Sequence, residues 1–336
     1  MSIRGGIYEF TIGVNNLNQS LEFWESCGYE AGARGSLTSD KAKDLYGVDS
    51  SLNSIHLTHQ NANSGLVRLM HWDKPIGSGL CMSPLRTSGN RWSVHRTDNI
   101  ANAYVHGEVL RQQGKPINLV GPHYNLNLAN SIQEKKPFKE ELSATAELLL
   151  FQPEAQLVIM SRMNYLIPKY GTINQKSPLR VSEGCHMALV LQGNDKSIFD
   201  FYEDIIGLKR YRELSISYQP GYMPSDMFEL NPGDNLMELN FDDQNSGFKP
   251  EEHLPGRLRC FLIDSSSKIN DEMDKSKPGN LGYSFYTLRT SDIENMWVKV
   301  KHSKASDQSK IFNDEFDSPS FYFLSPDGFS WVIKSL

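Results

Sequence analysis

IYEFTIGVNNLNQSLEFW (residues 7–24) returns in outline as CHMALVLQGNDKSIFDFY (185–202), about half a chain later. Each stretch opens with alternating apolar residues, which reads as a strand with one buried face. Each passes through a polar, Asx-rich turn into a helix start and ends on an aromatic pair, Phe23-Trp24 or Phe201-Tyr202. The second stretch carries one extra residue in its turn. Two looser copies follow the same plan, RWSVHRTDNIANAYV (91–105) and SFYTLRTSDIENMWV (284–298). Both run from a strand through Arg-Thr to an Asp near Ile, where an Asp or Asn side chain caps the free backbone N–H groups of a helix. Strand patterns LLLFQPEAQLVIM (148–160) and FYFLSPDGFSWVI (321–333) close these copies on matching turns, Pro153-Glu154-Ala155 and Pro326-Asp327-Gly328.

The chain therefore parses into four units of strand, helix and about three strands, over residues 5–73, 90–163, 183–243 and 281–336. Breaker-rich joins separate them at 73–84, 167–178 and 264–280. The middle join is the expected domain boundary. It gives an N-terminal domain, 1–165, and a C-terminal domain, 180–336. The class is α+β, with βαβββ modules paired into two domains of curved mixed sheets, each pair around a concave cleft. The aromatic pairs fit helix faces packed on the sheets. A charged insertion, QEKKPFKEE (133–141), reads as a surface excursion.

Composition bounds the function. The 336 residues carry 34 basic and 40 acidic side chains, a net charge of -6, without the basic stripe of a nucleic-acid binder. No apolar run approaches the roughly 20 residues of a membrane helix, and the N-terminus lacks a signal-peptide pattern. Cys27, Cys81, Cys185 and Cys260 are scattered, with no C-x-x-C pair. These features predict a cytoplasmic protein with reduced cysteines and fit a small-molecule partner; with four units already in one chain, a monomer or a homodimer is expected. No phosphate loop, nucleophile elbow or H-E-x-x-H motif is present.

Four ordered copies of this pattern resemble the vicinal oxygen chelate superfamily, which includes glyoxalase I, bleomycin-resistance proteins and extradiol dioxygenases. The resemblance implies the glyoxalase/dioxygenase-like fold. It also implies that each unit can offer a metal ligand in its first strand, usually His, and in its last strand, usually Glu. Three such groups hold Fe, Zn, Ni or Mn, which chelates two neighbouring substrate oxygens. Carried over position by position, His186 takes the first-strand place in the third unit and Glu238, in NLMELNF, the last-strand place. They are the expected metal ligands, with the third protein ligand unidentified. The other units offer Phe285 and Val332, Trp92 and Ile159, and Glu9 and Arg68 at these places.

Glu9 and Arg68 are expected to form an ion pair in place of a metal, or Arg68 to hold an anionic group of the substrate. The leading expectation is a metal-dependent lyase or dioxygenase with its site in the C-terminal half. The alternative is a metal-free binding protein that sequesters a ligand, as bleomycin-resistance proteins do.

Overall fold

In the computed structural model, which describes residues 3–126 and 142–336, all four units are present. The insertion at 133–141 lies outside the described residues. The first unit contains β1 (Glu9–Gly13), α1 (Leu17–Ser26), β2 (Glu30–Leu37), α2 (Ser39–Tyr46), β3 (Leu52–Thr58) and β4 (Leu66–Trp72). The second contains β5 (Arg91–Thr97), α3 (Ile100–Gln112), β6 (Asn118–Leu126), β7 (Ala144–Phe151) and β8 (Gln156–Met163). The third opens with β9 (Val181–Gln192). It continues through short helical turns at Lys196–Phe199 and Tyr202–Ile206 to β10 (Lys209–Ser217), α4 (Met223–Met227), β11 (Asn235–Asp242) and β12 (Arg257–Ile263). The fourth has β13 (Gly282–Thr290), α5 (Ile293–Lys301), β14 (Phe312–Asn313), β15 (Pro319–Leu324) and β16 (Ser330–Ser335). Asn16, Asn99, Asp195 and Asp292 each accept a backbone N–H at the start of the unit's helical segment, so the repeated Asx has one local job.

The sixteen strands form two mixed eight-stranded sheets. Their orders are β14-β15-β16-β13-β1-β4-β3-β2 and β10-β11-β12-β9-β5-β8-β7-β6. The first sheet joins unit one to unit four, and the second joins unit two to unit three. Neighbours along the chain were expected to pair; the strand order instead draws each sheet from both halves of the sequence. A concave cleft is thus shared by units from opposite halves. The reason lies at the first strands: β1 runs antiparallel to β13, and β9 antiparallel to β5.

Alternation along the strands divides three cores. Phe10, Ile12, Val67 and Tyr286 of the first sheet share one core with Leu157, Leu189 and Leu258 of the second, together with helix residues such as Trp24, Phe201 and Tyr202. The opposite, concave faces have their own cores. Tyr46, Met70, Trp72, Phe285 and Val332 fill the first, and Trp92, Val94, Ala188, Phe228 and Phe261 the second. The sheets touch backbone to backbone where the Gly184 N–H donates to the Gly65 carbonyl at 3.0 Å. Gly65 sits at φ +69, and a Cβ there would fall on the Gly184 carbonyl oxygen, so both the turn and the close approach require glycine.

The third unit is longer than the sequence pattern indicated. Its last strand is RLRCFLI (257–263), and NLMELNF lies in the strand before it. Glu238 therefore stands on β11, not at the last-strand place. One other assignment moves as well. Ile159 faces the shared core, so Val158 and Met160 take the concave side of β8. The register pairs Glu9 with Thr287 and His186 with Val94, while Phe285 and Trp92 lie on the concave faces.

Candidate functional site

On the concave face of the first sheet, Glu9 of β1 and Arg68 of β4 meet as expected. Both are fully buried, and the guanidinium donates to the Glu9 carboxylate. Arg68 Nη1 also donates to Tyr46 OH at 3.0 Å and lies 3.3 Å from Glu315 Oε1, while Nη2 is 3.5 Å from Asp314 Oδ2. Tyr46 OH donates to Glu315 Oε2 at 2.7 Å, and Lys334 Nζ to Asp314 Oδ2 at 2.8 Å. His56 Nε2 stands 3.4 Å from Glu9 Oε2 without hydrogen-bond geometry. Every carboxylate here has a cation beside it. Burial alone would lift the Glu9 carboxyl, but Arg68, His56 and Lys334 hold it down to about 2. Burial also keeps His56 below its ordinary range, against the pull of Glu9. Helix α2 covers this face, because Ala42, Leu45 and Tyr46 on its inner side pack on Trp72, Phe285 and Val332. Arg68 is thus buried, with its guanidinium engaged by Glu9, Tyr46 and Glu315.

The second concave face is arranged differently. His186 of β9 is buried, and its Nδ1 lies 3.0 Å from Tyr170 OH. Tyr170 comes from the join between the halves, which threads into the sheet at this point. Arg162 and Arg257 lie over its ring at 5.5 and 5.1 Å. Arg257 pairs in a fork with Asp242, at 2.5 and 2.9 Å. Arg259 Nε donates to Asn240 Oδ1 at 3.0 Å and stands 3.4 Å from Glu238 Oε1, which also accepts from Asn240 Nδ2 at 2.8 Å. Burial, then Arg259, Arg257 and Arg162, push the His186 imidazole well below its usual range, so it is neutral. Its Nε2 is buried with no hydrogen-bond partner among the described residues.

Next to these groups is a partly open cavity of about 60 Å³. Trp92, Phe228 and Phe261 form one wall, as a cluster of rings with centroids 4.7 to 5.9 Å apart. Met223 and Met227 of α4 and Ile216 of β10 close it. Its polar end holds Glu147, Glu238 and Arg259. Glu147 comes from β7, is 8% exposed and lines the cavity. Burial raises its carboxyl to about 7, with Arg259 opposing the rise and Glu238 adding to it.

A divalent metal would find few free ligands among these residues. In the first face the place opposite Glu9 is filled by a guanidinium. In the second, Glu238 is engaged by Arg259 and Asn240, and His186 is ringed by arginines that repel a cation. Among the described residues, no three His, Cys, Asp or Glu side chains converge as ligands. The donor set does not fit the metal that the resemblance implies. The structure brings Glu9 to Arg68, while His186 and Glu238 share a concave face but serve different partners.

Sequence reasoning missed Glu147, Arg259, Tyr170 and the Asp314-Glu315 pair. Glu147 had a usable signal, since ATAELLLF places it on one side of a strand with Leu149 and Phe151. Arg259 lay in the strand that was not assigned.

No protein-family profile matches the sequence, and no curated protein is similar to it. Solved structures do share its architecture. Glyoxalase I from Zea mays superposes with a TM-score of 0.51 at 14% identity, over 98% of this chain and 92% of that one. A proposed dioxygenase from Bacillus subtilis superposes with a TM-score of 0.53 at 12% identity, over 100% of this chain and 86% of its own. Sixteen strands in four repeated units, two curled sheets and end-to-end superposition on these structures agree, and the chain has the fold of the vicinal oxygen chelate superfamily.

Proposed function

We propose that this chain is a metal-independent binding protein for a small molecule, with its site on the concave face of the second sheet. The observation that carries the reading is the position of Arg259. A guanidinium on the last strand of the third unit, paired with Glu238, stands among the groups that would otherwise gather a metal. Beside it lies a lined cavity in which aromatic rings supply contact area and a few polar groups fix orientation. His186 is a positioning residue in this reading: with Tyr170 it braces the strand that carries Ala188 beside the cavity wall. The charge cluster at Glu9 and Arg68 holds the first face closed.

Elemental analysis tests the reading. Tag-free protein offered Fe, Ni, Zn and Mn in turn, then dialysed, should retain well below one equivalent of each. Stoichiometric metal that disappears in His186→Ala would contradict it. In parallel, a thermal-shift screen of small aromatic compounds should find some that raise the melting temperature, since a ligand held only by the native state stabilises it. Those shifts should vanish when Met227→Trp fills the cavity.

A further inference from the structure

A larger, partly open cavity of about 800 Å³ lies beside the seam of the two sheets, where the Gly184 N–H meets the Gly65 carbonyl. It shares no lining residue with the cavity under α4. The first sheet brings to it the Arg4-Gly5-Gly6 segment before β1, the turn between β3 and β4, and Arg289 of β13. The second brings Glu183 of β9 and Asp243, just after β11. Its volume is that of a small-molecule site, and such sites favour the junction of two packed bodies. Three of its sixteen lining residues have apolar side chains, so an apolar ligand would find little to bury against.

The charges around it are of both signs, and neutral groups hold them. Glu183 and Asp243 are 2% and 8% exposed. The Thr172 N–H donates to Glu183 Oε2 at 2.9 Å, and the Asn245 backbone N–H and Nδ2 donate to Asp243 Oδ1 at 2.8 and 3.0 Å. Asp243 Oδ2 is turned to Gly5 in the wall, where a Cβ would stand 4.0 Å from it. Behind Glu183, His59 donates from Nε2 to the Val181 carbonyl at 3.2 Å, so its Nδ1 presents a lone pair 3.8 Å from Glu183 Oε2. Burial lowers His59 to about 4, so it is neutral and brings Glu183 no positive charge. Burial also raises the Glu183 carboxyl, and the Thr172 N–H and Arg96 offset this in part. A cation beside such a carboxylate relieves the cost of its burial. On the other side, Arg289 lies 4.1 Å over the Tyr8 ring and donates from Nη2 to the Asn63 carbonyl at 3.2 Å. Its buried Nε has no hydrogen-bond partner among the described residues. Arg4 stands next to it, with its N–H on the Arg289 carbonyl at 2.8 Å, and Lys169 adds a third positive charge at the exposed rim.

We infer that this seam binds a small hydrophilic zwitterion, with an ammonium group met by Glu183 and Asp243 and a carboxylate met by Arg289 and Arg4. A purely anionic ligand would face two buried carboxyls, and a purely cationic one two guanidiniums. The side-chain amides of Gln60 and Asn61 in the same wall suit a polar stem. The site goes beyond the one proposed on the second concave face and does not depend on it.

Calorimetric titration of the intact protein with L-glutamine, N-acetyl-L-glutamine and L-glutaminamide tests this, because each analogue lacks one of the two charges. L-Glutamine should bind about tenfold or more tightly than either analogue. Arg289→Gln should weaken L-glutamine about tenfold and leave L-glutaminamide unchanged, since that ligand has no carboxylate to lose. Asp243→Asn should weaken L-glutamine in the same way and leave N-acetyl-L-glutamine unchanged. Met227→Trp, which fills the other cavity, should leave L-glutamine binding intact. The comparison of the three ligands on the wild type stands even if a variant does not fold. No binding, an analogue that binds as tightly as L-glutamine, or a folded variant that weakens all three ligands alike would overturn the inference. Loss of L-glutamine binding in Met227→Trp would overturn it too, by placing the ligand on the second concave face.

Discussion

The two concave faces are built from equivalent strands and yet treat buried charge in opposite ways. In the first, Arg68 and Lys334 meet Glu9, Asp314 and Glu315, and Tyr46 donates the remaining hydrogen bond. In the second, Glu147 lies against a cavity, where Arg259 favours its ionised form and burial and Glu238 oppose it. The contrast appears in the two carboxyls themselves. Glu9 is held down to about 2 and Glu147 is raised to about 7. A site whose carboxyls are held ionised by neighbouring cations contributes to the fold, whereas a raised carboxyl beside a cavity is the kind of group a binding site uses. Perturbed groups of this second kind mark functional positions more often than structural ones.

The largest expected effect comes from breaking the first face. Arg68→Met leaves three buried carboxylates with Lys334 alone, and should cost about 3–5 kcal/mol in urea unfolding. Arg259→Met is the matching change in the second face. It should cost less, about 1–2 kcal/mol, because Glu238 keeps Asn240 and some access to solvent. Equal losses at the two arginines would erase the distinction between the faces.

Titration sharpens the comparison, because the two glutamates act with opposite sign. The Glu9 carboxyl is depressed, so its stabilisation is present above the unfolded value near 4.5 and is lost as pH falls toward 2. Glu9→Gln should flatten that acid limb by on the order of 2–3 kcal/mol. The Glu147 carboxyl is raised, so wild type should lose stability as pH climbs from about 4.5 through 7. Glu147→Gln should remove on the order of 1–3 kcal/mol of that loss at pH 8 and change little at pH 4. A mutant whose stability still fell across this window as the wild type does would place the titration elsewhere. The smallest effect belongs to the brace at His186. Tyr170→Phe removes one buried hydrogen bond and should cost about 1 kcal/mol without shifting ligand affinity.

Much of the fold was legible because repetition multiplies weak signals. A strand, an Asx cap and an aromatic helix face mean little once, but four ordered copies define an architecture. The pairing of the units was not legible. Hydrophobic alternation reports which face of a strand is buried and says nothing about which strand lies beside it, so the union of β1 with β13 was invisible. The site was readable only where a charge interrupts an apolar strand. Glu9 and Arg68 were found in this way and do meet. Glu238 was found too, but one strand early, because RLRCFLI has two arginines among its inward positions and gave no clean alternation. Tyr170 could not be found, since a tyrosine in a breaker-rich join looks like any exposed loop residue.

The central claim is that the second concave face, and not the first, receives a small molecule. The direct measurement is NMR of protein labelled at the methionine methyl groups, titrated with the compounds that raise its melting temperature. Met223 and Met227 line the cavity, and Met70 is buried in the core of the first face. The account predicts saturable shifts at Met223 and Met227, with Met70 unmoved. Shifts at Met70, or no saturable change at Met223 and Met227, would contradict it.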